Sequence, residues 1–325
     1  MLLTRLRPRS RADPPASGRR GSTMADLRFG VAVAPVAAEL DTVVGLARSA
    51  DEAGLDLFGV QDHPYVADFV DTMSLIGHLL AATRHLRVFP DVANLPLRTP
   101  ALLAKQAASL DLLSDGRFEL GLGAGASQPA VGAMGSPVRT PGQAFRALEE
   151  GIAVIRAMWD AGHAVRADGE HYRLAGIQAG PAPAHQVGIW LGSVGPRMLE
   201  LTGRLADGWA APIAPYLPYE HWPAAMAAID AGAREAGREP SEVVRVAHLV
   251  GTVTEAPTGQ ATTHAGLRGS APIQAGAGQW ADLIRSLAED VGFDTFVFCP
   301  AEATPGQLDR WAREVVPAVR GSRNS

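Results

Sequence analysis

LRVFPDVANLPLRTPALLAKQAASLDLLSDGRFELGLG, residues 86–123, contains one strand–helix–strand unit, and its reading decides the fold. The apolar run 86–92 reads as a strand. Pro100 suits the first turn of a helix, where a missing N–H costs nothing, and the apolar spacing carries that helix to Leu113. Ser114-Asp115-Gly116 is a turn, and RFELGLG, 117–123, is the next strand. Two strands joined through a helix pair in parallel.

The same alternation continues outward in both directions. On the N-terminal side stand strands at 28–34 and 57–61. Between and after them lie a helix at 38–53, with Val43, Leu46, Ala47 and Ala50 on one face and Gly54 closing it, and a helix from the cap Asp71 to Thr83. On the C-terminal side, 124–142 is a Gly/Pro-rich loop and 143–160 a helix with Leu148, Ile152, Ile155 and Trp159 on one face. A hairpin at 164–176 turns on Asp-Gly. Strands follow at 187–192, 207–212, 243–253 and 294–299, with helices at Pro196–Leu205, from about Pro218 to Ala236, at 278–291 and at 304–319. Eight strands alternating with helices predict an α/β fold of the (β/α)8 TIM-barrel type, a single domain over 26–320 with loop insertions, rather than an open doubly wound sheet. The polar stretch 254–277 shows no helix and is expected to be a mobile loop over the barrel mouth.

Composition narrows the function. With 47% hydrophobic and 19% charged residues the chain has the make-up of a well-buried enzyme, and no apolar run approaches a membrane span. Residues 1–25 read as a disordered tail with six arginines, and Met24 opens a segment that resembles a natural start, so a misplaced start site is one expectation; 321–325 reads as a second tail. Without the tail's positive charge the body is near −10, which argues against nucleic acid and for a small-molecule substrate. The one cysteine, Cys299, excludes an intrachain disulfide and a cysteine zinc site, and suits a reducing cytoplasm. Lys105 is the sole lysine, which removes the P-loop lysine and leaves little scope for Schiff-base chemistry.

In a βα barrel the chemistry sits on loops after strand C-termini. After the second strand, Asp62 and His63 leave the barrel side by side: Asp62 either caps the turn or accepts a hydrogen bond from a cofactor, and His63 either packs or serves as proton donor near neutral pH. No second histidine or carboxylate cluster at ligand spacing accompanies them, so a metal is not expected. Asp91, Val92 and Asn94 lie in the irregular loop after the third strand. Gly121, Gly123 and Gly125 nearly match a dinucleotide fingerprint, but Ser127-Gln128-Pro129 follows where a helix should open; the glycines are expected to let backbone approach a flat ligand. Gly192-Ser193-Val194-Gly195 runs into a helix at Pro196, which is either an ordinary helix start or a phosphate cradle. Trp209 reads as core.

Taken together, 92–125, 188–209 (GIWLGSVGPRMLELTGRLADGW) and 292–298 (GFDTFVF) resemble the luciferase-like monooxygenase superfamily, which includes bacterial luciferase, alkanesulfonate monooxygenase and the coenzyme F420-dependent reductases and dehydrogenases. The likeness runs from Arg28 to Val319. It implies an oxidoreductase with coenzyme F420 or FMN across the strand ends, a phosphate tail near Ser193 to Gly195, a non-prolyl cis peptide at Asp91–Val92 and cofactor contacts that include Asp62, Asn94, Gly123 and Gly192. His63 matches the histidine that serves proton transfer in sugar-phosphate dehydrogenase relatives. Those relatives carry a glutamate where this chain has Ala126, which argues against sugar phosphates. A homodimer is also implied, and with FMN a separate flavin reductase. Hydride transfer with F420 is the first reading, FMN-dependent oxygen insertion the second; a barrel that binds flavin without catalysis and a metal-dependent hydrolase are the others.

Overall fold

The computed structural model describes residues 23–321; most of the two expected tails lies outside them. Twelve strands run β1 (Arg28–Val33), β2 (Leu57–Val60), β3 (Arg87–Pro90), β4 (Ala93–Asn94), β5 (Leu120–Gly123), β6 (Ala164–Asp168), β7 (Arg173–Gln178), β8 (Ile189–Leu191), β9 (Gly208–Ala211), β10 (Val244–Thr254), β11 (Ile273–Gly276) and β12 (Thr295–Pro300). The helices are α1 (Leu40–Glu52), α2 (Thr72–Ala82), α3 (Pro100–Leu113), α4 (Gln128–Ala133), α5 (Pro141–Trp159), α6 (Pro196–Leu205), α7 (Trp222–Glu235), α8 (Ala277–Ser286), α9 (Pro305–Arg310) and α10 (Val316–Arg320).

The parallel sheet runs β3-β2-β1-β12-β10-β9-β8-β5. It closes where Val88 N donates to Arg117 O at 2.9 Å and Glu119 N to Val88 O at 3.2 Å. The predicted single-domain barrel is therefore the observed one. β6 and β7 form the separate antiparallel hairpin that Asp-Gly foretold. Its turn is held on α5, where the Glu150 carboxylate accepts the backbone N–H groups of Glu170, His171 and Tyr172.

Alternation along each strand divides the apolar residues between two cores. Ala32, Leu57, Phe89, Trp190, Ala210, Val246 and Val297 fill the lumen, with Val92, Val244 and Cys299 packed against them. Phe296 and Phe298 point outward from β12 and stack with Phe29 and Trp311 beneath the helices. The barrel is solid: one end is chemistry-ready loops, the other a fastening. At that fastened end Arg87 Nη1 meets Glu119 Oε1 at 2.8 Å, and His185 lies between Asp111 (Nδ1 to Oδ1, 2.7 Å) and Glu119 (Nε2 to Oε1, 3.3 Å). Burial works against a charged His185, but the bonds and charges of the two carboxylates outweigh it and lift its pKa to about 9.

Three expectations change. The 254–277 stretch is not one featureless loop: Ile273–Gly276 forms β11, in parallel with the outer end of β10, because that eleven-residue strand overshoots its neighbours and leaves an edge to pair. Inside 124–142 stands the short helix α4. The helix expected from Pro218 begins as a 3-10 turn, Tyr219–His221, before α7.

Candidate cofactor and active site

The barrel mouth is built around one side chain, Val92. The Asp91–Val92 peptide is cis and non-prolyl, as the resemblance implied. Val92 projects over the ends of β5 and β8, where three glycines make room for it. A Cβ on Gly121 would stand 3.0 Å from Val92 Cγ1, one on Gly123 2.9 Å from Cγ2, and one on Gly192 2.8 Å from Cγ2. Gly121, Gly123 and Gly125 were expected to let backbone approach a flat ligand; the space over Gly121 and Gly123 holds the valine, which presents a half-buried apolar shelf to the mouth, while Gly125 faces Pro96.

The chain on either side of the shelf is fixed by ion pairs. Asp62 is 2% exposed, and both of its oxygens are engaged: Oδ2 accepts Asn94 N at 2.8 Å and Arg98 Nε at 2.9 Å, and Oδ1 accepts Arg98 Nη2 at 2.7 Å. Arg98 also reaches Asp71, the N-cap of α2. Burial opposes the charge on Arg98, but the two carboxylates outweigh it and hold its pKa above the ordinary value. Asp62 thus ties the β4 segment to the end of β2 and offers no free oxygen to the mouth. Asn94, 4% exposed, keeps a buried Oδ1 without a partner.

His63, the next residue after Asp62, is half-buried, and its Nδ1 lies 2.9 Å from the Tyr65 hydroxyl. Burial, then the charges of Tyr216 and Asp62, push the Tyr65 phenol above its usual pKa. At neutral pH it keeps its proton.

The β8–α6 turn, read from sequence as either an ordinary helix start or a phosphate cradle, leaves its backbone open. Gly195 has φ 77° with open space around its missing side chain, and Pro196 opens α6, so the first backbone N–H groups of the helix lack helical acceptors. The Ser193 hydroxyl is turned away: it donates at 2.8 Å to Thr202 Oγ1, whose own proton goes to Met198 O. Ser193 is 2% exposed and its carbonyl accepts Trp209 Nε1 at 3.1 Å. Val194 is exposed. The open donors of this turn are therefore backbone groups, not the serine side chain.

The sequence reading missed His248. It stands on β10 two residues beyond lumen-facing Val246, 3% exposed, with Nε2 2.9 Å from Asp91 Oδ2 and Nδ1 2.7 Å from Ala211 O. A polar residue at an alternating position of an apolar strand was the available signal. Cys299, next to last in β12, lies nearby; burial first, and then the charge of Asp91, push its thiol pKa up. Among the described residues no group of three or more His, Cys, Asp or Glu side chains could hold a metal ion, and no helix is long and apolar enough to cross a membrane.

A parallel barrel with an apolar shelf at its mouth is a scaffold for a flat cofactor, and comparison with known proteins places the chain in a family of that class. It belongs to the luciferase-like monooxygenase family, whose model matches residues 20–289. A curated relative, the 5,10-methylenetetrahydromethanopterin reductase of Methanolobus tindarius, is 32% identical over 217 residues; the match covers 67% of this chain but 63% of the relative, less than two thirds of its length. Two solved structures share the fold. The coenzyme F420-dependent tetrahydromethanopterin reductase of Methanopyrus kandleri superposes with a TM-score of 0.75 at 18% identity, over 90% of this chain and 99% of that one. A riboflavin lyase with a modified FMN and riboflavin superposes with 0.76 at 16% identity, over 90% and 91%.

Proposed function

We propose that this protein is an oxidoreductase that transfers hydride between coenzyme F420 and a small organic substrate. The observation that carries the reading is the Val92 shelf, seated in glycine slots and anchored on both sides. The site fits a deazaflavin: a flat apolar support, the unpartnered Asn94 Oδ1 to accept an N–H from a heteroaromatic edge, and the backbone N–H groups of Gly195 and of the first turn of α6 after Pro196 for a phosphate. The M. tindarius and M. kandleri relatives, both tetrahydromethanopterin reductases, the second named as F420-dependent, support the same choice.

When bound, the deazaflavin supplies the hydride. The chain supplies position and a proton. Tyr65 keeps its proton, and its hydroxyl bonds Nδ1 of His63, which leaves Nε2 as the ring nitrogen for the substrate. In its protonated form His63 gives the Nε2 proton to an oxygen or nitrogen as charge develops there and is left as the neutral imidazole, with Nδ1 still bonded to Tyr65. Asp62 holds the segment that carries His63 and, through Asn94 and Arg98, the shelf beside it. The solid lumen below closes the site to water from the far end.

FMN-dependent oxygen insertion is the second reading, favoured by the riboflavin lyase neighbour. Titration of the purified protein with oxidised F420 and with FMN, followed by tryptophan quenching and by ligand absorbance, separates them. Tight binding of F420 and oxygen-independent turnover are expected. FMN binding with an oxygen requirement would replace the first reading by the second, and binding of neither would remove both.

A further inference from the structure

The Asp91–His248 contact has no part in the proton transfer assigned to His63, yet it crosses the barrel. Going round the closed eight-strand wall in either direction, β3 and β10 are four strands apart, so the residue after β3 and the one on β10 belong to opposite walls. His248 Nδ1 sits against the Ala211 carbonyl, which can only accept, so that nitrogen carries a proton. A bare Nε2 would then turn its lone pair on a carboxylate 2.9 Å away. The contact is therefore an imidazolium–carboxylate pair, with the carboxylate off the line of an aligned hydrogen bond. Burial opposes the charge on His248, but Asp91 and the Ala211 carbonyl outweigh it and raise its pKa. The residue that follows Asp91 is Val92. One side of the shelf is held by Asp62 and Arg98 through the β4 segment; the other is held from across the lumen.

We propose that His248 is a positioning residue: through Asp91, and from the wall opposite, it fixes the height and angle at which Val92 meets the cofactor. This rests on the reading of Val92 as the cofactor's support. The charged and titratable groups facing the pair are few: Cys299 from β12, whose thiol feels the Asp91 charge, and the Tyr219 hydroxyl, buried without a partner and coupled in turn to Cys299. Because Cys299 is the only cysteine, it reports on the pair with no cofactor present.

The test compares wild type, His248→Gln, Asp91→Asn and the double variant in two measurements. In the first, iodoacetamide alkylates Cys299 in the cofactor-free protein. His248→Gln leaves Asp91 uncompensated and slows alkylation, on the order of tenfold for each pKa unit that the thiol rises. Asp91→Asn speeds it, and the double variant behaves as Asp91→Asn alone. In the second, oxidised F420 and FMN are titrated while Kd and the absorbance band of the bound ring are recorded. Each single variant is expected to weaken binding on the order of tenfold and to shift the band, with the double variant no weaker than the poorer single one. Should His248→Gln fail to fold, the double variant, which leaves no buried charge, takes its place in both measurements.

Unchanged alkylation would show that the pair does not form and would overturn the proposal. So would wild-type affinity and spectrum in His248→Gln, or additive losses in the double variant, and either would leave the shelf reading standing. Binding of neither cofactor by wild type would remove the shelf reading itself.

Discussion

Replacing Gly192 with alanine probes how the shelf is seated. A Cβ there would lie 2.8 Å from Val92 Cγ2 and 3.3 Å from Cγ1, but 3.7 Å from Val92 Cβ. The first distance is about 0.6 Å inside ordinary van der Waals contact. Val92 cannot rotate away, because its χ1 is stiff and its methyls also abut the space over Gly121 and Gly123. Forcing a methyl into a packed site of this kind costs about 1–3 kcal/mol. In a Val92→Ala background both clashing methyls are gone and the nearest atom is the Cβ at 3.7 Å, so the same Gly192→Ala change should cost under about 0.5 kcal/mol. Urea denaturation of the four proteins gives the coupling directly. Gly121→Ala is the control: its Cβ would meet the Pro90 carbonyl oxygen at 2.1 Å, a backbone atom that Val92→Ala does not remove, so no rescue is expected. Additive costs for Gly192→Ala and Val92→Ala would refute the packing of Val92 described here.

Arg98→Met strands the buried Asp62 carboxylate, and a loss of about 3–5 kcal/mol is expected in thermal or urea unfolding, partly recovered in Asp62→Asn/Arg98→Met. His185, with a folded pKa of about 9 against an ordinary 6.5, contributes stability that is fully present below about pH 6.5 and is lost as pH rises through 9. Discounted for the solvent that reaches its ring, the contribution is about 1–2 kcal/mol; His185→Gln should flatten the fall in melting temperature between pH 7 and pH 10, and an unchanged slope would count against the Asp111–His185–Glu119 arrangement. His63→Gln should lower turnover by about 10²–10⁴-fold with a stability change within about 0.5 kcal/mol, because the ring is half-buried and bonded only to Tyr65. Tyr65→Phe removes one hydrogen bond and should cost turnover about tenfold; full activity in either variant would take the proton role from His63.

Where the sequence carried strong local signals, the structure follows it closely. Pro100 and Pro196 open α3 and α6 as their position at a helix start predicts, and Asp71 caps α2 through Ser74 N. β4 and β11 were invisible for a physical reason. A two-residue strand has no periodicity, and Ile273–Gly276 is a strand only because β10 offers it an edge. The mouth was legible by position and less so by role. Asp62, His63, Asp91, Val92 and Asn94 do converge near the strand ends, but which carboxylate reaches across the lumen to His248 and which is consumed by Arg98 depends on partners far away in sequence. The Ser193 hydroxyl is likewise decided by Thr202, a helix turn and more beyond it. His248 was overlooked because a lone histidine in an apolar strand reads as core until the opposite wall is known.

The filled lumen makes the barrel a vessel with a single opening. If Val92 supports the cofactor as proposed, a second reactant has to come in above it through that opening. Traffic is therefore last in, first out: the deeper partner is loaded before the shallower one and cannot leave until the shallower has gone. Steady-state kinetics on such a protein should show ordered addition, with the deeper ligand leading.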